Sequence, residues 1–161
     1  MVDAIRFQGR VYNPKYTVPK YALSVRSPWW WYILHGGKDV ENRSWSTRYR
    51  GSVLIHASSW FQREQIEDEI ESCSWVRRSD VPLAQDFKAL SGHYVGVVDI
   101  VDCVWASESP WFNDAFGFVL ANPQPLVRPI RGVGRLGFMR IDREPLIEAG
   151  FEIATGTGNA S

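Results

Sequence analysis

Cysteine is nearly absent from this 161-residue chain: Cys73 and Cys103 are the only two. They fall in different predicted elements, with no CxxC spacing and no histidine cluster to complete a structural zinc site, so both read as small buried hydrophobes. Neither sign of charge is in excess, because 18 basic side chains cancel 18 acidic ones. That balance excludes the strongly basic surface of many dedicated duplex-DNA binders and confines any nucleic-acid site to a local patch. Long apolar runs are missing as well. No segment approaches the roughly 20 apolar residues of a membrane helix, and the first residues, MVDAIRFQGR, lack the apolar stretch of a secretory signal. The expectation is a cytoplasmic protein with no membrane partner. Histidines and acids do not cluster as metal ligands, and no cofactor or metal is expected.

What remains is the composition of a folded domain, 45% hydrophobic and 22% charged. One domain of this length buries roughly 70% of its unfolded surface, enough for a single sizeable core. Aromatic side chains stand out: eight Trp, six Tyr and eight Phe, with Trp29, Trp30 and Trp31 consecutive. Large side chains in such number suit the interior of a small barrel.

Residues 1–21 carry Pro14 and Pro19 and read as an irregular or edge-strand arm packed on the barrel. ALSV, beginning at Ala22, is a short strand. Ser27-Pro28 then gives a helix start over residues 28–35, with Ser27 as cap, and Gly36-Gly37 stops it. An extended segment begins at Lys38, RSWSTRYRG forms a long ordered loop, and SVLIHAS is a strand. Ile66, Ile70 and Cys73 recur at helical spacing within residues 60–75, opposite a solvated acidic face. A weaker helix spans residues 82–90, and HYVGVVDIVDCVW reads as one long strand. Strict alternation sets its Asp99 and Asp102 on opposite faces. Further strands are expected at 117–121, 126–130 and 136–141, separated by Asn-Pro and Gly-rich turns. The tail, 142–161, ends in the low-complexity ATGTGNAS. Short strands, a helical insertion and no βαβ alternation argue for an α+β fold built on a compact mixed barrel.

Residues 23–58 hold the chemistry. There Arg26, Lys38, Arg43, Arg48 and Arg50 face only Asp39 and Glu41 among the acids, and aromatic rings are interleaved with the cations. Cations neutralise phosphate and aromatic faces stack on bases, the two parts that single-strand recognition needs. The same mixture also marks protein interfaces and cation–π packing within cores. His35 and His56 read as structural histidines, since neither has a serine or cysteine partner in evidence.

The arrangement SVRSPWWWYILHGGKDVENRSWSTRYRG resembles the signature of ASCH domains, and GVVDIVDC, SPWF and GFVLANPQPL continue the likeness over residues 22–138. The resemblance implies a PUA-like small mixed β-barrel with flanking helices over residues 22–141. It also implies a cleft beside the first helix that recognises RNA, a nucleotide or a nucleoside, with DNA as the alternative polymer. Carried onto this chain, the motif sets Lys38, Glu41, Arg43, Trp45 and Thr47 at or near the cleft, and Arg50 and Gly51 close it. Arg26, at the helix start, and Trp29 join these as candidate ligand contacts. Some ASCH proteins resemble amidohydrolases that deacylate modified cytidine with a lysine, a threonine and a glutamate. Lys38 matches the lysine, but Glu41 stands where those enzymes have threonine, and Glu108 lies in the region of the distal glutamate without a distinctive motif. Two functions follow as expectations: a binding module for single-stranded RNA or a modified nucleotide, or a hydrolase, either an amidohydrolase on acylated cytidine nucleosides or a ribonuclease, in which Lys38 and Glu41 exchange protons.

Overall fold

In the computed structural model the described residues are 18–154, together with the backbone of a short antiparallel pair, β1 (Ile5–Phe7) and β2 (Arg10–Tyr12). The expected packing of the N-terminal arm on the barrel rests on residues outside that description, as does the expected mobility of residues 155–161. Six further strands form one sheet: β3 (Tyr21–Val25), β4 (Val40–Arg43), β5 (Gly51–Ala57), β6 (His93–Val104), β7 (Phe116–Arg131) and β8 (Phe138–Arg140). Their order is β4-β7-β6-β5-β3-β8, with β3 and β5 parallel and every other pair antiparallel. The architecture is α+β, a mixed sheet curled into a half-barrel with flanking helices, as expected of a PUA-like domain.

Alternation along the strands assigns side chains to two cores. Leu23, Val25, Val53, Ile55, Val98, Ile100 and Phe118 pack on one face with the first three helices, α1 (Trp29–His35), α2 (Arg63–Ser72) and α3 (Ala84–Leu90). Ala22, Leu54, Val97, Leu126 and Met139 pack on the other, with Leu146 of α4 (Arg143–Glu148) and with Phe151 and Ile153. Burial on both faces explains why β5 reads as an unbroken apolar run. The segment 142–161 therefore opens with a helix and returns to the sheet through an antiparallel bridge between Leu126 and Ile153.

Two sequence expectations change. Residues 117–121 and 126–130 belong to one strand, β7, because β6 pairs along its whole length. The Asn-Pro step is absorbed as a register shift, with Asn122 at φ 52° and its side-chain amide donating to Asp99 at 2.9 Å. The start of α1 also differs. Pro28 is the boundary residue, and buried Ser27 accepts from the Trp30 indole at 2.9 Å instead of capping the backbone. Among the described residues no helix is long and apolar enough to cross a membrane.

Curling brings the sheet's two ends together. Arg43 on β4 donates to the Ser24 carbonyl on β3 at 2.8 Å, across the open seam. Beside it Phe118 and Phe138 stack with centroids 5.9 Å apart, and Trp45 meets both edge-on at 5.1 and 5.5 Å.

Candidate functional site

A cleft of about 900 Å³ opens beside α1, lined by β3, β4, β5, α2 and the segments 110–114 and 134–137. Its innermost charged groups are set by the end of α1. The Tyr32 carbonyl accepts from Gly36 N at 2.9 Å and from Lys38 N at 3.0 Å, and Gly37 takes φ +75°, which glycine adopts without a Cβ clash. This closure turns the chain so that Lys38, only 4% exposed, enters the cleft wall. Its ammonium donates to the Val40 carbonyl and lies 5.7 Å from the ring centroids of both Trp29 and Trp111.

Three residues on, Glu41 is 7% exposed and its Oε2 has no hydrogen-bond partner. Burial holds the Lys38 pKa below the ordinary lysine value, with Glu41 and then Asp39 opposing the shift. Arg43 completes this wall. One guanidinium nitrogen reaches Ser24, while Nε is buried and unpartnered.

Trp111 is held by side chains of the neighbouring strand. Asn42 donates to the Trp111 carbonyl at 2.8 Å and accepts from Asn113 N at 2.9 Å, and Ser109 donates to Asp39 at 2.6 Å. On the opposite wall the Arg26 guanidinium lies 4.6 Å from the Trp60 centroid and 3.5 Å from Glu69 of α2. Glu69 is thus the exception to the solvated acidic face expected of that helix.

The glycine-rich segment after β7 forms the remaining edge. His56 Nε2 contacts the Gly132 carbonyl at 2.7 Å and Nδ1 contacts Ser24 Oγ at 2.9 Å. A carbonyl only accepts, so Nε2 carries the proton and Nδ1 accepts from the serine. Gly134 is pressed onto this pair: a Cβ there would stand 2.5 Å from the imidazole and 2.7 Å from Ser24 Oγ.

Of the residues singled out from sequence, Arg26, Trp29, Lys38, Glu41 and Arg43 line the cleft together. Trp45, Thr47 and Arg50 do not. Trp45 is wedged between Phe118 and Phe138 at the seam, where its ring packs in the core. Thr47 shapes its own loop, accepting from Tyr49 N at 3.0 Å, and exposed Arg50 pairs with Asp102 at 3.4 Å. Sequence reasoning missed Trp60, Trp75 and Trp111, which line the cleft from segments distant in sequence. Only Trp111 carried a signal, in the SPWF motif. Asp99 accepts from Ser52 at 2.7 Å and from Asn122, while exposed Asp102 accepts from Cys103 N at 2.8 Å. Among the described residues no three His, Cys, Asp or Glu side chains gather in a way that would hold a metal ion.

Comparison with known proteins adds the lineage. The chain is similar to activating signal cointegrator 1 of Homo sapiens and of Mus musculus, 32% identical to each over 123 residues. The alignment covers 70% of this chain but 21% of each relative, so the chain spans about a fifth of their length. The family model of the ASCH domain matches residues 23–122, which takes in β3 to β6, most of the cleft and the first part of β7. The chain belongs to the ASCH domain family.

Proposed function

We propose that the cleft binds a nucleobase of single-stranded RNA or of a modified nucleotide. The observation that carries this reading is the buried wall of Lys38, Glu41 and Arg43, which keeps a carboxylate oxygen and a guanidinium N–H without protein partners. A buried polar atom left unpaired is unfavourable by about 1–3 kcal/mol, so a ligand that satisfies it gains affinity and specificity together. The edge of a base supplies both complements: an exocyclic amino group to donate to Glu41, and a ring nitrogen or carbonyl to accept from Lys38 or Arg43. Half-buried Trp29 provides aromatic surface alongside, and Arg26 at the rim is a cation for phosphate.

Fluorescence anisotropy with labelled short RNAs in low salt tests this. Lys38→Glu and Glu41→Gln are expected to lose at least tenfold in affinity, with far-ultraviolet circular dichroism unchanged in Glu41→Gln. Wild-type affinity in both variants would sink the assignment.

A second reading, a hydrolase on acylated cytidine nucleosides or on RNA, is favoured by the lowered Lys38 pKa. A lysine that sheds its proton more readily is a better general base, and Glu41 would relay the proton. Incubation with acylated cytidine and with RNA, followed by chromatography, decides it. Product that disappears in Lys38→Ala makes the protein an enzyme, whereas retention without turnover makes it a binding module.

A further inference from the structure

Trp75 is held by one ring contact and is otherwise open to solvent. It follows α2 with 54% of its surface exposed and belongs to neither hydrophobic core, yet it lines the cleft. Its ring stands edge-on to Trp111, with centroids 5.0 Å apart and planes inclined at 70°. Trp111 in turn flanks the Lys38 ammonium. Trp111 is itself only 7% exposed, so the open aromatic surface of the pair is Trp75, close to the polar wall and steeply inclined to the ring that flanks it.

We infer that the cleft binds a polynucleotide strand across at least two nucleotides, with one base against Lys38 and Glu41 and its neighbour stacked on Trp75. The inference rests on the reading of the Lys38–Glu41 wall as a base pocket. A base that turns its edge into the Lys38–Glu41 wall leaves the stack of its neighbours, so the strand must be splayed. Single strands splay readily, while a duplex would have to break pairing and stacking to do so.

Charge at the rim matches a backbone better than a free nucleoside, which carries no phosphate. Arg26 is exposed and shared between Trp60 and Glu69. Arg135, also on the cleft, is exposed and has no ion-pair partner among the described residues. It lies in residues 126–141, which hold Arg128, Arg131, Arg135 and Arg140 and no acid. The space agrees as well. About 900 Å³ is near the top of the ~300–1,000 Å³ range of small-ligand pockets, more than one base occupies.

Titration calorimetry of the whole chain tests the inference. The probes are the four ribonucleoside 5′-monophosphates, the four homotetraribonucleotides and the corresponding tetradeoxynucleotides. The best-bound tetranucleotide is expected to bind about 5- to 150-fold tighter than its monophosphate, the ratio that one extra stacked base at ~1–3 kcal/mol gives. Trp75→Ala should remove most of that ratio, and Trp75→Phe should restore much of it. Equal affinity for monomer and tetramer, or a tetramer advantage that survives Trp75→Ala, overturns the two-nucleotide site while leaving the base pocket standing. Failure of the wild type to bind any probe overturns the base pocket itself. Ribose preference among the tetramers would identify the strand as RNA, and equal binding a single strand of either sugar.

Discussion

At the scale of single residues, the buried histidine of β5 gives the sharpest prediction. His56 is fully enclosed, and burial pushes its pKa below the ordinary value, with the Gly132 contact opposing and His93 adding to the shift. Between that lowered pKa and about 6.5 the unfolded chain binds more protons than the folded one. The stability contributed by neutral His56 is thus complete above about pH 6.5 and is lost as pH falls through the folded-state pKa. Urea denaturation of the wild type should give a lower unfolding free energy at pH 5.5 than at pH 7.5, and His56→Gln should shrink the difference. The same loss in both proteins would show that His56 does not titrate in this way. This site had little sequence signal. SVLIHAS announced a strand, but nothing in it disclosed that Ser24 and a glycine segment some 76 residues downstream would close around the imidazole.

Elements are positioned by close approaches that small residues permit. Gly96 on β6 sits under α1, and a Cβ there would stand 2.5 Å from Leu34 Cδ2 and 3.0 Å from the Gln124 carbonyl. Leu34 could shift, but the carbonyl is held in the β7 ladder, so Gly96→Ala must displace either α1 or the strand pairing. Overpacking of this kind is unfavourable by about 1–3 kcal/mol, and urea denaturation should show a loss in that range. Because α1 carries Trp29 and its end orients Lys38, the same variant should also weaken ligand binding, read by anisotropy. An unchanged midpoint would mean the sheet accommodates the methyl group freely. Helices and strands were largely legible from spacing, as with Ile66 and Ile70 buried on α2. The division of β7 was not. Asn-Pro normally breaks a strand, and only the facing length of β6 reveals that here it makes a bulge.

For the whole molecule, the decisive feature is the seam where β4 meets β3 and β8. Trp45 plugs it against the stacked pair Phe118 and Phe138, and Arg43 bridges it to Ser24. Trp45→Ala removes that wedge and should lower stability by about 2–4 kcal/mol, slightly under the value for a fully buried aromatic, since Trp45 is partly exposed. A thermal or urea melt checks it. If Trp45→Ala melted like the wild type but lost ligand affinity, the ring would be a stacking surface and not a seam. Sequence favoured ligand stacking, because an aromatic residue in a polar loop has less reason to be purely structural, and only the closed seam shows Phe118 and Phe138 waiting for the ring.

The sequence by itself determined the α+β class, the family, the position of most elements and the half of the cleft contributed by residues 26–43. Those depend on local periodicity, on turn chemistry at Gly36-Gly37 and on a contiguous motif, all of which are written along the chain. Tertiary structure alone decided that Trp45, Thr47 and Arg50 lie outside the lining of the cleft, and that Trp60, Trp75 and Trp111 belong to it. The reason is that the direction of a side chain in a loop is set by how the sheet curls and what it meets there. Contacts between segments that lie tens of residues apart exist only once the half-barrel has closed.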